Sequence, residues 1–125
     1  MTATSITHVG TVIVPVSDQG RALEFWLDTL GFEKRLDGQL GDGDRWLEVG
    51  PPGGATTIAL VASPEEAGSA TEVSFATADT EADHVELRGQ GVDADEEIIR
   101  MGDYVPPMFT FRDPDGNRFR VVERS

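Results

Sequence analysis

Residues 111–123 read FRDPDGNRFRVVE, a pattern typical of a β-hairpin. Two stretches favour strands, residues 107–112 and 118–123, and they flank the segment Asp113-Pro114-Asp115-Gly116-Asn117. Proline and glycine in such a segment supply the backbone dihedral angles that a chain reversal needs. The sequence therefore predicts that the last two strands are antiparallel neighbours.

The chain also repeats one order of elements. Strands are predicted over residues 9–16, 45–50 and 56–62, and again over residues 71–77 and, as a short strand, 95–100. A helix over 19–30 begins after the capping residue Asp18 and ends at Gly31. A second helix, over 80–90, begins at Asp79 or Thr80 and ends at Gly91.

The two capping aspartates, Asp18 and Asp79, lie 61 positions apart. This repeat predicts an α+β fold with two βαβββ modules, about 7–62 and 70–124, in one domain over 1–125. Each helix would cover one face of its sheet, and the opposite faces would curve into a shared cleft. An unrelated α+β arrangement that imitates a repeat stays open as the alternative.

Composition excludes several classes of function. The chain has 125 residues, no cysteine, and a net charge of −13 from 23 acidic and 10 basic residues. Disulfides, thiolate zinc sites and a cysteine nucleophile are excluded. The negative charge argues against nucleic acid and against anionic membranes as partners. A cytoplasmic location is expected, since no transmembrane run or signal peptide is visible. The acidic surface favours solubility, and it would also attract a cationic ligand.

Four stretches carry a family resemblance: THVGTVIVPVSD (7–18), RALEFWLDTLGF (21–32), RWLEV (45–49) and FRDPDGNRFRVVE (111–123). In this order they resemble the vicinal oxygen chelate superfamily. That superfamily includes glyoxalase I, extradiol dioxygenases, fosfomycin-resistance enzymes and bleomycin-resistance binding proteins. The resemblance implies a metal in the cleft, held by four side chains that are usually His or Glu. Its bleomycin-type members further imply a homodimer whose clefts involve both chains.

Carried over residue by residue, the four ligand positions fall on Thr11, Glu48, Glu72 and Arg120. Threonine is a poor metal ligand, and arginine cannot deprotonate to become one. Our hypothesis is that the Arg120 guanidinium replaces the metal charge between the two carboxylates, so that no cofactor is needed. Two alternatives remain: a divalent metal held by Glu48 and Glu72, or a one-residue register shift that brings Glu123 to the cleft rim.

Strand alternation places Trp46 on the cleft face beside Glu48. The predicted ligand-binding set is Thr11, Trp46, Glu48, Glu72, Met108 and Arg120. The loop 102–107, which carries Tyr104, is interpreted either as a cover over the cleft or as a rigid connector. His8 and His84 are expected at the surface or in capping roles, whereas the aromatic residues of 19–32 are expected in the core, namely Phe25, Trp26 and Phe32.

Three functions compete at this point. The first is a metal-independent binder of a small molecule. The second is a metal-dependent lyase, isomerase or dioxygenase. The third is a metal-free enzyme in which Glu72 or Glu48 acts as a general base beside Arg120. We prefer the first to the third, because a neighbouring arginine opposes the raised carboxylate pKa that a general base needs.

Overall fold

The computed structural model describes residues 3–41 and 44–124 and contains two four-stranded sheets. The first sheet comprises β1 (Thr11–Val16), β2 (Glu33–Leu40), β3 (Asp44–Gly50) and β4 (Thr57–Ala62), in the order β1-β4-β3-β2. The second comprises β5 (Val73–Thr77), β6 (Asp93–Ala94), β7 (Met108–Arg112) and β8 (Arg118–Glu123), in the order β5-β8-β7-β6. In each sheet the first and last strands along the chain pair in parallel, and the other pairs are antiparallel. The α+β architecture is as predicted.

Both helices begin at the predicted capping residues. The Asp18 carboxylate accepts a hydrogen bond from the Arg21 amide at the start of α1 (Gln19–Glu24), which continues as a π-helical turn over Phe25–Thr29. Asp79 caps α2 (Thr80–Gly89) in the same way, through the Ala82 amide. Gly31 and Gly91 follow the helices with φ angles of 74° and 82°. These left-handed conformations, which favour glycine, end each helix as expected.

One strand was missed by the prediction, and one predicted strand is largely absent from the described residues. β2 was not predicted, because EKRLDGQL has no apolar alternation and lies at a sheet edge with most of its side chains exposed. The strand expected over 95–100 is reduced to β6, Asp93–Ala94, and to an isolated bridge between Ile99 and Met108. Beyond β6, Asp95 and Ile99 make this segment's backbone hydrogen bonds to β7, and Glu96 and Glu97 between them are exposed.

One hydrophobic core joins the inner faces of both sheets, and Trp26 lies in it with no exposed surface. Its ring lies 4.9 Å from that of Phe119 in β8 and 5.0 Å from that of Phe32, measured between centroids. Phe25 packs edge-on against Trp26 at 5.5 Å. The packing role predicted for these aromatic residues is confirmed. The first helix therefore contacts the second sheet as well as its own.

The predicted hairpin between β7 and β8 is confirmed, and its turn holds the two halves of the chain together. The fully buried Asn117 amide donates to the Asp113 carboxylate (2.9 Å) and to the carbonyl of Pro15 in β1 (2.8 Å), and accepts from the Ala70 amide (2.9 Å). Burial raises the pKa of the Asp113 carboxyl, although hydrogen bonds from Asn117 oppose that effect. We call the four residues joined by these hydrogen bonds the turn clasp: Pro15, Ala70, Asp113 and Asn117.

Candidate functional site

Each sheet has an outer face, turned away from the shared core, and the outer faces carry most of the predicted site residues. In β3, Leu47 and Val49 are fully buried, whereas Trp46 and Glu48 alternate onto the outer face. In β8, Phe119 is buried and Arg118 and Arg120 are exposed. The predicted alternation is confirmed, and the register is not shifted by one residue.

Glu123, the residue that a shifted register would have brought to the cleft rim, has a different role. Its Oε1 accepts a hydrogen bond of 3.1 Å from the backbone amide of Thr80, at the first turn of α2. The first backbone N–H groups of a helix have no acceptor within the helix and carry a partial positive charge. A carboxylate at that position accepts one of these hydrogen bonds and stabilises the helix. Glu123 therefore supports α2 in this structure.

Three side chains of the same sheet donate hydrogen bonds to the Glu48 carboxylate. Together with Glu48 we call them the Glu48 cluster: Thr11, Trp46, Glu48 and Thr57. The Trp46 indole Nε1 donates to Oε2 at 2.6 Å, and the Thr57 hydroxyl donates to Oε1, also at 2.6 Å. Thr11 Oγ1 lies 3.4 Å from Oε1 and 2.8 Å from Thr57 Oγ1. The hydrogen bonds from Thr57 and Trp46 lower the pKa of Glu48, so this carboxylate is ionised at neutral pH.

Sequence reasoning missed Thr57. This residue begins β4, which pairs in parallel with β1 so that Thr57 lies directly beside Thr11. The available signal was a threonine near the start of each of two predicted strands, 9–16 and 56–62, which parallel pairing brings together. Because Thr57 is largely buried, its hydroxyl is fixed against Glu48 instead of exchanging with solvent.

The surroundings of Glu48 on the outer face are apolar. The strand register places Ile13, Ala59, Glu48 and Leu36 in one row across β1, β4, β3 and β2. Ile13 is 59% exposed and Leu36 is 49% exposed, and Leu40 further along β2 is 52% exposed. Large aliphatic side chains left open to solvent around one ionised group are typical of a binding surface.

The remaining predicted residues lie on the second sheet. Arg120 is exposed, and its register neighbours are Ser74 in β5 and Thr110 in β7. Met108 is half-buried beside Val122. Glu72 was predicted within a strand, but β5 begins one residue later, and Glu72 is exposed with Thr71 Oγ1 at 3.3 Å.

The predicted quartet does not come together within one chain. Thr11 and Glu48 meet on the first sheet, but no ion pair or hydrogen bond joins Arg120 to Glu48 or Glu72 across the ranges 3–41 and 44–124. The reason is structural: no strand of one sheet pairs with a strand of the other, and Glu48 is occupied by donors of its own sheet. The guanidinium bridge expected between the two carboxylates is therefore wrong for the single chain.

One cavity is lined by Thr57 of the Glu48 cluster, but not by Glu48 itself. It has a volume of about 920 Å³ and is lined by parts of both sheets, by the end of the first helix and by α2. Of the six predicted ligand-binding residues, only Glu72 lines it. A smaller cavity of about 360 Å³ borders the loop 102–107, where Tyr104 is fully exposed.

The donors around the predicted metal position do not fit a divalent ion. Among the described residues, no three His, Cys, Asp or Glu side chains are grouped closely enough to hold a metal. His8 is exposed beside Thr7. His84 is half-buried, with Nε2 2.7 Å from the Asp95 carbonyl oxygen and its ring against Phe109. His84, expected at the surface or in a capping role, bonds a backbone carbonyl of the segment after β6.

Comparison with known proteins identifies the family. The family model of the Glyoxalase/Bleomycin resistance protein/Dioxygenase superfamily matches residues 5–121. The chain belongs to this superfamily. Among curated proteins, the Bacillus subtilis (strain 168) uncharacterized protein YetH is 30% identical over 123 residues, covering 94% of this chain and 99% of YetH.

Two solved structures of the superfamily are similar over nearly the whole chain. TnmS3, an antibiotic binding protein from Streptomyces sp. CB03234, is 35% identical with a TM-score of 0.84, covering 98% of this chain and all of TnmS3. A superfamily member from Sphaerobacter thermophilus DSM 20745 is also 35% identical, with a TM-score of 0.87, covering 97% of this chain and all of that protein. The predicted family and glyoxalase-like fold are thus confirmed. No helix within the described ranges is long and apolar enough to cross a membrane.

Proposed function

We propose that this member of the superfamily binds a small organic molecule without a metal, in a cleft that a second copy of the chain completes. The state of Glu48 carries the proposal. Its two oxygens accept hydrogen bonds from Trp46 and Thr57 at 2.6 Å, with Thr11 close by, and its pKa is lowered. A carboxylate held in this way is a fixed anionic anchor on an apolar wall.

The same contacts disfavour coordination of a metal by Glu48. A divalent ion needs several anionic or neutral donors and would compete with the indole and hydroxyl protons for the carboxylate oxygens. The other positions carried over from the family supply a threonine, an exposed glutamate and an arginine, namely Thr11, Glu72 and Arg120. Such a donor set favours an organic ligand over an inorganic one.

General-base catalysis by Glu48 is also disfavoured. A base that works near neutral pH needs a carboxyl pKa raised towards 7. The hydrogen bonds from Thr57 and Trp46 move the pKa of Glu48 in the opposite direction. Binding without turnover is therefore the function that these residues support best.

The nature of the ligand follows from the wall around the anchor. Ile13, Leu36 and Leu40 offer exposed aliphatic surface, and the Trp46 ring lies on the same face. This combination suits a ligand with a sizeable apolar or aromatic body and one hydrogen-bond donor or positive charge. The similarity to TnmS3, which is an antibiotic binding protein, supports a ligand of this kind.

A second copy of the chain would complete the cleft. Glu48 and Arg120 carry opposite charges, yet within the described part of one chain no ion pair or hydrogen bond joins them. A homodimer that places the Glu48 face of one copy against the Arg120 face of the other would enclose a ligand between them. Such an interface would also cover Ile13 and Leu36, which are otherwise exposed.

Calorimetric titration of the purified protein tests this function. The probes are metal-free bleomycin and 1-naphthamide, a neutral aromatic amide. Light scattering measures the oligomeric state of the same protein. We expect a dimer that binds at least one probe saturably, and about tenfold weaker binding in Glu48→Gln and in Trp46→Phe. Failure to bind either probe, or a protein that retains one divalent metal per chain through dialysis, would overturn the proposal.

A further inference from the structure

We infer that Arg118 and Arg120 bind an oxyanion group of the ligand, a carboxylate or a phosphate, and so determine which small molecules the cleft accepts. The inference rests on the proposed function, because it concerns the second wall of the same cleft. The chain has 10 basic residues and 23 acidic ones, and the basic side chains differ in whether an acidic partner lies beside them.

Most of the other basic side chains are neutralised or fixed locally. Ion pairs join Lys34 and Arg45 to Asp37, Arg35 to Glu33, and Arg100 to Glu81. Arg88 donates to the carbonyl of Ala94 at 2.9 Å. In a chain with a net charge of −13, a nearby acidic partner is the expected state of a surface cation.

Arg118 and Arg120 depart from that state. Both are exposed on the outer face of β8, and within the ranges that the structure describes neither makes an ion pair or a side-chain hydrogen bond. Two residues apart on one strand, their Cα atoms are about 7 Å apart and their side chains point the same way. Two uncompensated guanidinium groups therefore stand side by side.

The acidic residues nearest to the neighbouring strand β7 do not pair with Arg118 or Arg120. Arg112 lies opposite Arg118 in the β7–β8 register, but its guanidinium is already held by Asp95 at 2.9 Å and by Asp93 at 3.6 Å. Those two carboxylates are thus engaged with Arg112. Glu72, which precedes β5 on the same side of the sheet, is not within ion-pair distance of Arg118 or Arg120.

Hydroxyl groups complete a surface made of donors. Ser74 and Thr110 flank Arg120 on the two neighbouring strands, and neither hydroxyl is hydrogen-bonded to another described residue. Guanidinium groups bind carboxylates and phosphates through paired N–H···O bonds, and hydroxyls complete the coordination of the same oxygens. The Glu48 face offers a fixed acceptor, whereas this face offers donors, so a ligand with an oxyanion at one end fits between them.

Titration of the full-length protein with three matched naphthalenes tests the inference. The probes are 1-naphthoate, 1-naphthyl phosphate and the neutral 1-naphthamide, followed by two-dimensional NMR that includes the arginine Nε–H signals. We expect the better of the two anions to bind about tenfold more tightly than the amide, despite the net negative charge of the protein. The ranking of the two anions identifies which oxyanion the surface prefers.

Variants then assign the effect to the two arginines. Arg118→Gln and Arg120→Gln should each remove most of the anion preference, because they weaken anion binding far more than amide binding. Arg21→Gln is the matched control, since Arg21 is an exposed arginine of α1 and its loss changes the net charge equally. It should preserve the preference, and near-UV circular dichroism verifies that every variant is folded.

The outcomes separate this inference from the proposed function. If the amide and the anions bind equally well, or if Arg21→Gln weakens the anions as much as Arg120→Gln does, the arginine site is refuted while binding stands. If no naphthalene and no bleomycin binds, the proposed function itself fails.

Discussion

Replacing Asn117 by alanine should destabilise the protein severely, because this one side chain joins three separated segments. Its amide nitrogen donates to the Pro15 carbonyl of β1 and to the Asp113 carboxylate, and its oxygen accepts from the Ala70 amide. The residue is fully buried, so water does not replace these partners without opening the structure. The variant removes the link between β1 and the last hairpin and leaves the hairpin's own backbone intact.

The magnitude follows from the three contacts. Each hydrogen bond to a neutral backbone group contributes about 1 kcal/mol, and the bond to the ionisable Asp113 about 2 kcal/mol. The partners left behind are buried polar groups, so the total loss should be about 3–5 kcal/mol of the free energy of unfolding. For a chain of 125 residues this corresponds to a fall in Tm of roughly 10–20 °C.

Urea unfolding of wild type and variant, followed by circular dichroism at 25 °C, measures the loss. Gln90→Ala is the control, because Gln90 is an exposed amide at the end of α2 and its removal should change stability by less than about 0.5 kcal/mol. An Asn117→Ala protein within about 1 kcal/mol of wild type would refute the role assigned to the turn clasp.

Three further predictions concern other parts of the chain. Gly68→Ala should cost roughly 2–4 kcal/mol in urea unfolding, because Gly68 has a φ of 90° and an added Cβ would overlap the Asp115 carbonyl oxygen; unchanged stability would contradict this geometry. Since hydrogen bonds lower the pKa of Glu48 below its usual 4.5, the stability they provide is present above that pH and is lost as the pH falls through the lower folded value. Wild type should therefore lose stability relative to Glu48→Gln below pH 4.5, and parallel pH profiles would argue against the effect. Ile13→Ser should abolish the dimer in light scattering while changing chain stability by less than about 1 kcal/mol, since Ile13 is 59% exposed; a persistent dimer would exclude this face from the interface.

Local signals in the sequence were sufficient for most of the fold. The two capping aspartates, the glycines after each helix and the DPDGN turn act through backbone chemistry that depends on a few neighbouring residues. β2 escaped prediction for the opposite reason. Its residues bury little surface, and the strand exists because it pairs with β3, which is a tertiary interaction that no local pattern encodes.

The candidate site was predicted in part. Alternation was enough to place Trp46 and Glu48 on one face, since a half-buried strand has a period of two. The hydrogen bond from Thr57 required the parallel register of β1 and β4, and the separation of Arg120 from Glu48 required knowledge of how the two sheets meet. Contacts between residues far apart in the sequence depend on how the strands and sheets pack. The order of residue types along the chain does not determine that packing.

The central claim is that Glu48 anchors an organic ligand and does not ligate a metal, and the indole Nε1–H signal of Trp46 reports on it directly through the 2.6 Å bond to Glu48. Separate NMR titrations with metal-free bleomycin, 1-naphthamide and Zn²⁺ would follow this signal, with Trp46→Phe used to assign it. We expect at least one organic probe to shift the signal saturably and one equivalent of Zn²⁺ to leave it unchanged. A stoichiometric shift with Zn²⁺, together with no response to either organic probe, would contradict the claim.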